Sequence, residues 1–152
     1  VYNYLEYCRE ACLLHLVQRE NIVGKALLLT QEKIYIADHG IRQALFLSNQ
    51  KEINQVLENI VYIELLRRGY AVTVGKSGNQ EIDFCARKDS RMEYYQVSYL
   101  LASEETVSRE FSAFNSLKDN YPKFVLSMDK FDFSQDGIIH KNITAWLLGH
   151  TA

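Results

Sequence analysis

The chain has 152 residues, enough to bury one core with room for a small appended unit. Hydrophobic residues make up 47%, which excludes a disordered chain. Its 17 basic and 19 acidic side chains leave a net charge of −2, which excludes a global basic field drawing it to nucleic acid.

Tyr2 to Leu14 has helical spacing, with Tyr4, Leu5, Cys8 and Cys12 on one stripe. Leu14 to Arg19 alternates like a short strand, Asn21 to Lys25 reads as a turn, and Ala26–Thr30 and Lys33–Ala37 read as extended. Helix, strand, turn, strand matches the tail of a winged-helix unit whose first helices would precede Val1. Val1 itself is uncapped and mid-pattern, which reads as a segment of a longer protein. A short helix is expected over Ile41 to Leu47, ending near Ser48-Asn49.

The strongest helix runs from about Glu52 to Arg68, with Gly69 as its stop. Tyr70–Val74, Glu81–Ala86 and Glu93–Leu101 follow as strands, with Lys76–Gln80 as a polar turn between the first two. Glu104–Leu117 reads as a helix capped by Ser103. Lys123–Met128 is a strand introduced by Pro122, the only proline; Ile138–Ile143 is a late strand, and Thr144 starts a short helix. This order predicts an α/β fold with a mixed sheet: three strands as an antiparallel meander, then a crossover. The expected boundaries are a partial winged-helix unit at 1–49 and a second domain at 50–152.

Cys8, Cys12 and Cys85 fit neither a disulfide framework nor a zinc site, which favours a reducing, cytoplasmic setting; Cys8 and Cys12 are expected in core packing. No run is apolar enough to span a bilayer, and no signal peptide pattern opens the chain.

The chemistry concentrates between Glu58 and Ser98. By alternation Glu81, Asp83 and Cys85 face one way on their strand, and Tyr94, Gln96 and Ser98 share a face on the next. Hairpin pairing would set Asp83 beside Gln96 and Ser98, with Glu58 or Glu64 brought in from the preceding helix. Phosphodiester hydrolysis uses clustered oxygen ligands for Mg²⁺ and a cation near the attacking water. Glu58 and Asp83 supply two carboxylates. Gln96 supplies only an amide oxygen and Ser98 only a hydroxyl. Arg109, Lys76 and Arg87 are candidate replacements for the missing cation. Glu64, on the apolar helix face, is expected to pair with an arginine. The histidines His15, His39, His140 and His150 are too scattered for a catalytic dyad, and Ser77 reads as a turn former.

Glu58, Gly69, Ser77-Gly78, Asp83 and Gln96-Val97-Ser98 fall in an order that resembles the PD-(D/E)xK nuclease superfamily, in the branch near archaeal Holliday-junction resolvases. The resemblance implies a restriction-endonuclease-like fold. It gives Glu58 and Asp83 as the metal-binding carboxylates, and Gln96 and Ser98 as the positions of the third ligand and the lysine. Both of the last two depart from the family pattern, so the site Glu58, Asp83, Gln96, Ser98 is read as vestigial. Tyr4-Leu5, the run Lys33 to Arg42, Leu57-Glu58-Asn59, Glu64-Leu65 and Glu81-Ile82-Asp83-Phe84 resemble the carboxy-terminal domain of prokaryotic AAA+ family ATPases of unknown function. This second resemblance implies a parent that binds ATP and whose ATPase domain is the partner. No Gly-rich phosphate loop occurs here, so no ATP site is expected in this segment. Three readings stay open: a degenerate nuclease-like binding or regulatory domain, a Mg²⁺-dependent DNA endonuclease with a displaced cation, and a protein-interaction module.

Overall fold

A computed structural model describes residues 2–24, 26–45, 52–77 and 80–149. Their elements are α1 (Tyr2–Glu10), β1 (Leu14–Asn21), β2 (Ala26–Ile36), α2 (His39–Leu45), α3 (Ile53–Arg67), β3 (Ala71–Ser77), β4 (Gln80–Lys88), β5 (Arg91–Val97), α4 (Glu104–Ser112), β6 (Lys123–Ser127), β7 (Ile139–Asn142) and α5 (Ile143–Leu147). Val1, His150, Gly78-Asn79 and the expected helix end at Ser48-Asn49 lie outside the described residues.

The strands form one mixed sheet in the order β2-β1-β3-β4-β5-β6-β7. β3, β4 and β5 are the antiparallel meander, and β6 joins β5 in parallel after α4. β1 lies parallel to β3 through a short ladder, Arg19↔Val74 to Asn21↔Lys76. The expected division at 49/50 therefore does not separate two packed units. The β1–β2 hairpin, read as a winged-helix tail, continues the same sheet. A parallel ladder between distant strands has no local sequence signature, which is why the hairpin read as separate.

Apolar side chains fill both faces of the sheet. Leu57, Val61, Tyr62 and Leu65 of α3 and Trp146 of α5 pack on Val74, Phe84 and Tyr95. Phe111 of α4 and Phe114 pack on Ile82, Cys85, Tyr94 and Val125. Gly69 takes φ +83°, the left-handed stop expected after α3. Ser103 caps α4 as expected, its Oγ accepting from Thr106 N at 3.2 Å. The helix stops at Ser112 rather than Leu117. Beyond it the backbone tightens into turns (Phe114 N to Phe111 O, Leu117 N to Phe114 O) that bring Phe111 and Phe114 into one core. Cys8 and Cys12 do not share a buried helical stripe: α1 ends at Glu10, and Cys12 is exposed in a turn at φ +56°.

One irregularity positions the site. Between β3 and β4 the pairing runs from Thr73↔Cys85 to Gly75↔Ile82, three steps on β4 against two on β3. This is a β-bulge at Asp83-Phe84. It breaks the expected alternation. Ile82 and Cys85 both join the core under α4, while Phe84 and Ala86 join the core under α3. Gly75 is required opposite the bulge, since a Cβ there would stand 2.5 Å from Ile22 Cδ1, 2.7 Å from Cys85 Sγ and 3.1 Å from Ile82 Cβ.

Candidate functional site

The α3 side of the sheet carries the charged cluster. Glu58 projects from the second turn of α3, and Asp83 from the bulge of β4. A third side chain, Lys33 of β2, joins them. Its Nζ lies 2.5 Å from Glu58 Oε1, 3.1 Å from Glu81 Oε1 and 3.7 Å from Asp83 Oδ1. Arg19 adds a second cation, its Nη2 3.0 Å from Glu81 Oε2. Tyr35, two residues after Lys33 and on the same face of β2, donates its hydroxyl to Glu58 Oε1.

The strand that delivers Lys33 is held firmly. Asn59 of α3 makes two bonds to the backbone of Ile36: its Oδ1 accepts from Ile36 N, and its Nδ2 donates to Ile36 O, both at 2.8 Å. The Tyr35 ring stacks on Tyr62 with centroids 4.4 Å apart. Lys33 is therefore presented to the carboxylates by a pinned backbone rather than straying in from the surface.

Asp83 is 8% exposed. Its Oδ2 accepts from Val97 N at 2.9 Å, and its own N–H donates to Gln96 Oε1 at 3.2 Å. Burial raises the Asp83 carboxyl to about 8; the charge of Glu58 adds to the rise, and Lys33 opposes it. Lys33 is itself held above its ordinary value, the three carboxylates outweighing the cost of burial.

The four expected site residues thus do not form one cluster. Glu58 and Asp83 converge, as expected, but on Lys33. Gln96 follows Tyr94 onto the face covered by α4 and touches Asp83 through its backbone nitrogen. Ser98 is buried, and its hydroxyl donates to Leu100 O at 3.5 Å. Two of the candidate replacement cations are engaged elsewhere: Arg87 with Glu20 at 2.5 Å and Arg109 with Glu110 at 2.8 Å. Glu64 pairs with Arg67 and Arg68, each at 2.6 Å, as expected.

A Mg²⁺ ion needs several oxygens converging at about 2.1 Å around one free point. Here the ammonium fills the space between Glu58 and Asp83, and the Gln96 oxygen is taken by a backbone N–H. Among the described residues no group of three or more His, Cys, Asp or Glu is arranged to hold a metal. The donor set as it stands does not fit the ion.

Two other polar clusters lie outside this site. Ser127 Oγ lies 2.8 Å from His140 Nε2, but Ser127 is fully buried and donates to Asp129 Oδ2. His140 Nδ1 accepts from Phe133 N, so Nε2 carries the proton and points it at the serine, the reverse of a base activating a nucleophile. On the α4 face a cavity of about 870 Å³ is lined by Glu20, Arg87, Tyr94 and Asp119. Its carboxylates are already paired, with Arg87 and Lys123.

No family model matches the chain, and no solved structure matches it. It is 36% identical over 146 residues to an uncharacterised protein of Haemophilus influenzae, covering 95% of this chain and 36% of that protein. It is 34% identical over 124 residues to an uncharacterised protein of Methanocaldococcus jannaschii, covering 78% of this chain and 27% of that protein. The chain spans little more than a third, or less, of the curated relatives it matches. Among the described residues no helix is long and apolar enough to cross a membrane.

Proposed function

We propose that this chain is a nuclease-like module of the PD-(D/E)xK type that has given up metal-dependent cleavage and serves as a binding or regulatory unit of an ATP-binding parent. One observation carries the reading. The helix carboxylate Glu58 and the strand carboxylate Asp83 meet at one point, and that point holds the ammonium of Lys33. The mixed sheet with α3 on one face and α4 on the other is compatible with a nuclease-like core. The identities of Gln96 and Ser98 favour loss of cleavage, since neither brings charge to a phosphate. The much greater length of the relatives leaves room for a separate ATP-binding unit, and in this reading that unit is the partner.

Incubation of supercoiled plasmid with the protein and Mg²⁺ or Mn²⁺ tests the reading. The plasmid is expected to stay supercoiled. Nicking that disappears in Asp83→Ala overturns it. A second reading, a Mg²⁺-dependent endonuclease whose displaced cation is Lys33, requires the ammonium to leave the space between Glu58 and Asp83. Nicking lost in both Asp83→Ala and Lys33→Ala would identify that enzyme.

A further inference from the structure

We propose that Lys33 is the built-in cation of this site: its ammonium takes the place of a divalent metal between Glu58 and Asp83, so the cluster works as a metal-independent clamp joining the β1–β2 hairpin to α3 and β4. The proposal rests on the reading of Glu58 and Asp83 as the two carboxylates of a nuclease-like site. It goes further in naming what fills that site and what the filling does.

The geometry is that of a constructed cation site. An ammonium has three N–H bonds and no lone pair left to accept. Lys33 points them among three carboxylates on two elements, Glu58 on α3 and Glu81 and Asp83 on β4. At 2.5 Å from Glu58 and 3.7 Å from Asp83, the ammonium stands where an ion bridging these two carboxylates would have to sit. The strand that carries Lys33 is fixed immediately after the contact. Asn59 pins the Ile36 backbone, and Tyr35 is stacked on Tyr62 while donating to the same Glu58 oxygen that faces Lys33.

The consequence is mechanical. Among the described residues, the hairpin joins the rest of the sheet through a short ladder of three paired positions between β1 and β3, followed by Ile22 N donating to Lys76 O. Lys33 and Tyr35 add an attachment from β2 directly to α3, and Lys33 and Arg19 add one to β4 through Glu81. A divalent metal bridging Glu58 and Asp83 would tie α3 to β4 but would not hold β2. A lysine on β2 does both.

The test compares the unaltered protein with Lys33→Ala in EDTA and in millimolar MnCl₂ or MgCl₂. The unaltered protein is expected to melt at the same temperature in all three. Lys33→Ala is expected to melt lower by about 5 °C, to recover at least half of that loss in MnCl₂ because the ion binds only the folded site, and to lose that recovery when Glu58→Gln is added. Equal stabilisation by MnCl₂ of the unaltered protein, or no recovery in Lys33→Ala, overturns the proposal. Should Lys33→Ala fail to fold, Mn²⁺ titration of the unaltered protein followed by NMR decides. Selective broadening of the Asp83 and Val97 amides at submillimolar Mn²⁺ sinks the proposal, and their persistence supports it. Failure here without plasmid nicking removes only the role of Lys33. Plasmid nicking by the unaltered protein removes the non-catalytic reading itself.

Discussion

Asp83 lives in two electrostatic environments at once. Its backbone and one carboxylate oxygen are held by β5, while its other oxygen faces Lys33 and competes with Glu58 for it. Burial wins, and the carboxyl rises from 3.8 to about 8. The sign of the effect on stability follows. From about pH 4 to about pH 8 the folded chain keeps a proton here that the unfolded chain has released, so this group stabilises at low pH and its contribution fades as pH rises through that window. Asp83→Asn holds the neutral shape at every pH. Relative to it, the unaltered protein is expected to lose stability between pH 5 and pH 8, on the order of a few kcal/mol. Urea midpoints measured for both proteins across that range check the expectation. Parallel curves would mean that Asp83 is an ordinary ionised carboxylate in the fold. Glu64 behaves in the opposite sense. Its hydrogen bonds to Arg67 and Arg68 outweigh burial and hold its carboxyl below the usual range. That contribution is present above the unfolded value of 4.5 and is lost as pH falls. Glu64→Gln also loosens Arg68, whose guanidinium lies 4.0 Å from the centre of the Trp146 ring and donates to Trp146 O. The cost is expected to be about 1–3 kcal/mol at neutral pH and to shrink toward pH 3 when unfolding is followed by circular dichroism.

At the scale of elements, the bulge in β4 decides what the site is. It turns Asp83 and Phe84 to the α3 side and lets Ile82 and Cys85 close over Gly75. Gly75→Ala would force a Cβ against the Ile82 Cβ, which cannot swing away as the tips of Ile22 and Cys85 can. We expect a loss of about 1–3 kcal/mol, with a shifted Asp83 amide resonance as evidence that the bulge has moved. A loss below about 0.5 kcal/mol would show that the close approach relaxes freely. The bulge was not legible in the sequence. Strict alternation placed Cys85 with Asp83, because a bulge is specified by the partner strand and not by the bulged residues. What was legible was local. The α3 span, its Gly69 stop, the Ser103 cap and the antiparallel β3–β4–β5 meander all follow from periodicity and cap chemistry. Glu58 and Asp83 were legible as well, since each sits on a well-marked element. Lys33 was not. It lies 25 positions before Glu58, on a hairpin that reads as part of another unit, whereas the cations that the sequence offers, Lys76, Arg87 and Arg109, all belong to the β3-to-α4 span. Asn59 escaped for a related reason. An amide in the middle of an apolar helix face carries no sign that a strand backbone waits opposite it.

For the molecule as a whole, charge pairing bears on which partner the module takes. At least nine of the 17 basic side chains stand in ion pairs with the protein's own carboxylates. The pairs are spread over both faces of the sheet: Lys33 and Arg19 on the α3 side, Arg87 with Glu20 beside the α4-side cavity, and Arg109 with Glu110 on α4 itself. Phosphate binding gains its free energy by releasing counterions from the nucleic acid, and a cation already neutralised by a carboxylate gains little by exchanging that partner. Breaking such a pair would also leave buried acids such as Glu20, 6% exposed, and Glu110, 5% exposed, without a partner. Duplex and branched DNA are therefore expected to bind no more tightly than about 10⁻⁴ M near physiological salt, with a shallow dependence of log K on log salt. Gel shifts or fluorescence anisotropy over a salt series, with linear and four-way-junction DNA in parallel, measure both quantities. Micromolar affinity with a slope of several charges would place a basic groove on a surface that the ion pairs leave open, and would turn the search for a partner from protein to nucleic acid. A flat, weak response leaves protein surfaces, the ATP-binding unit of the parent first among them, as the contacts to pursue.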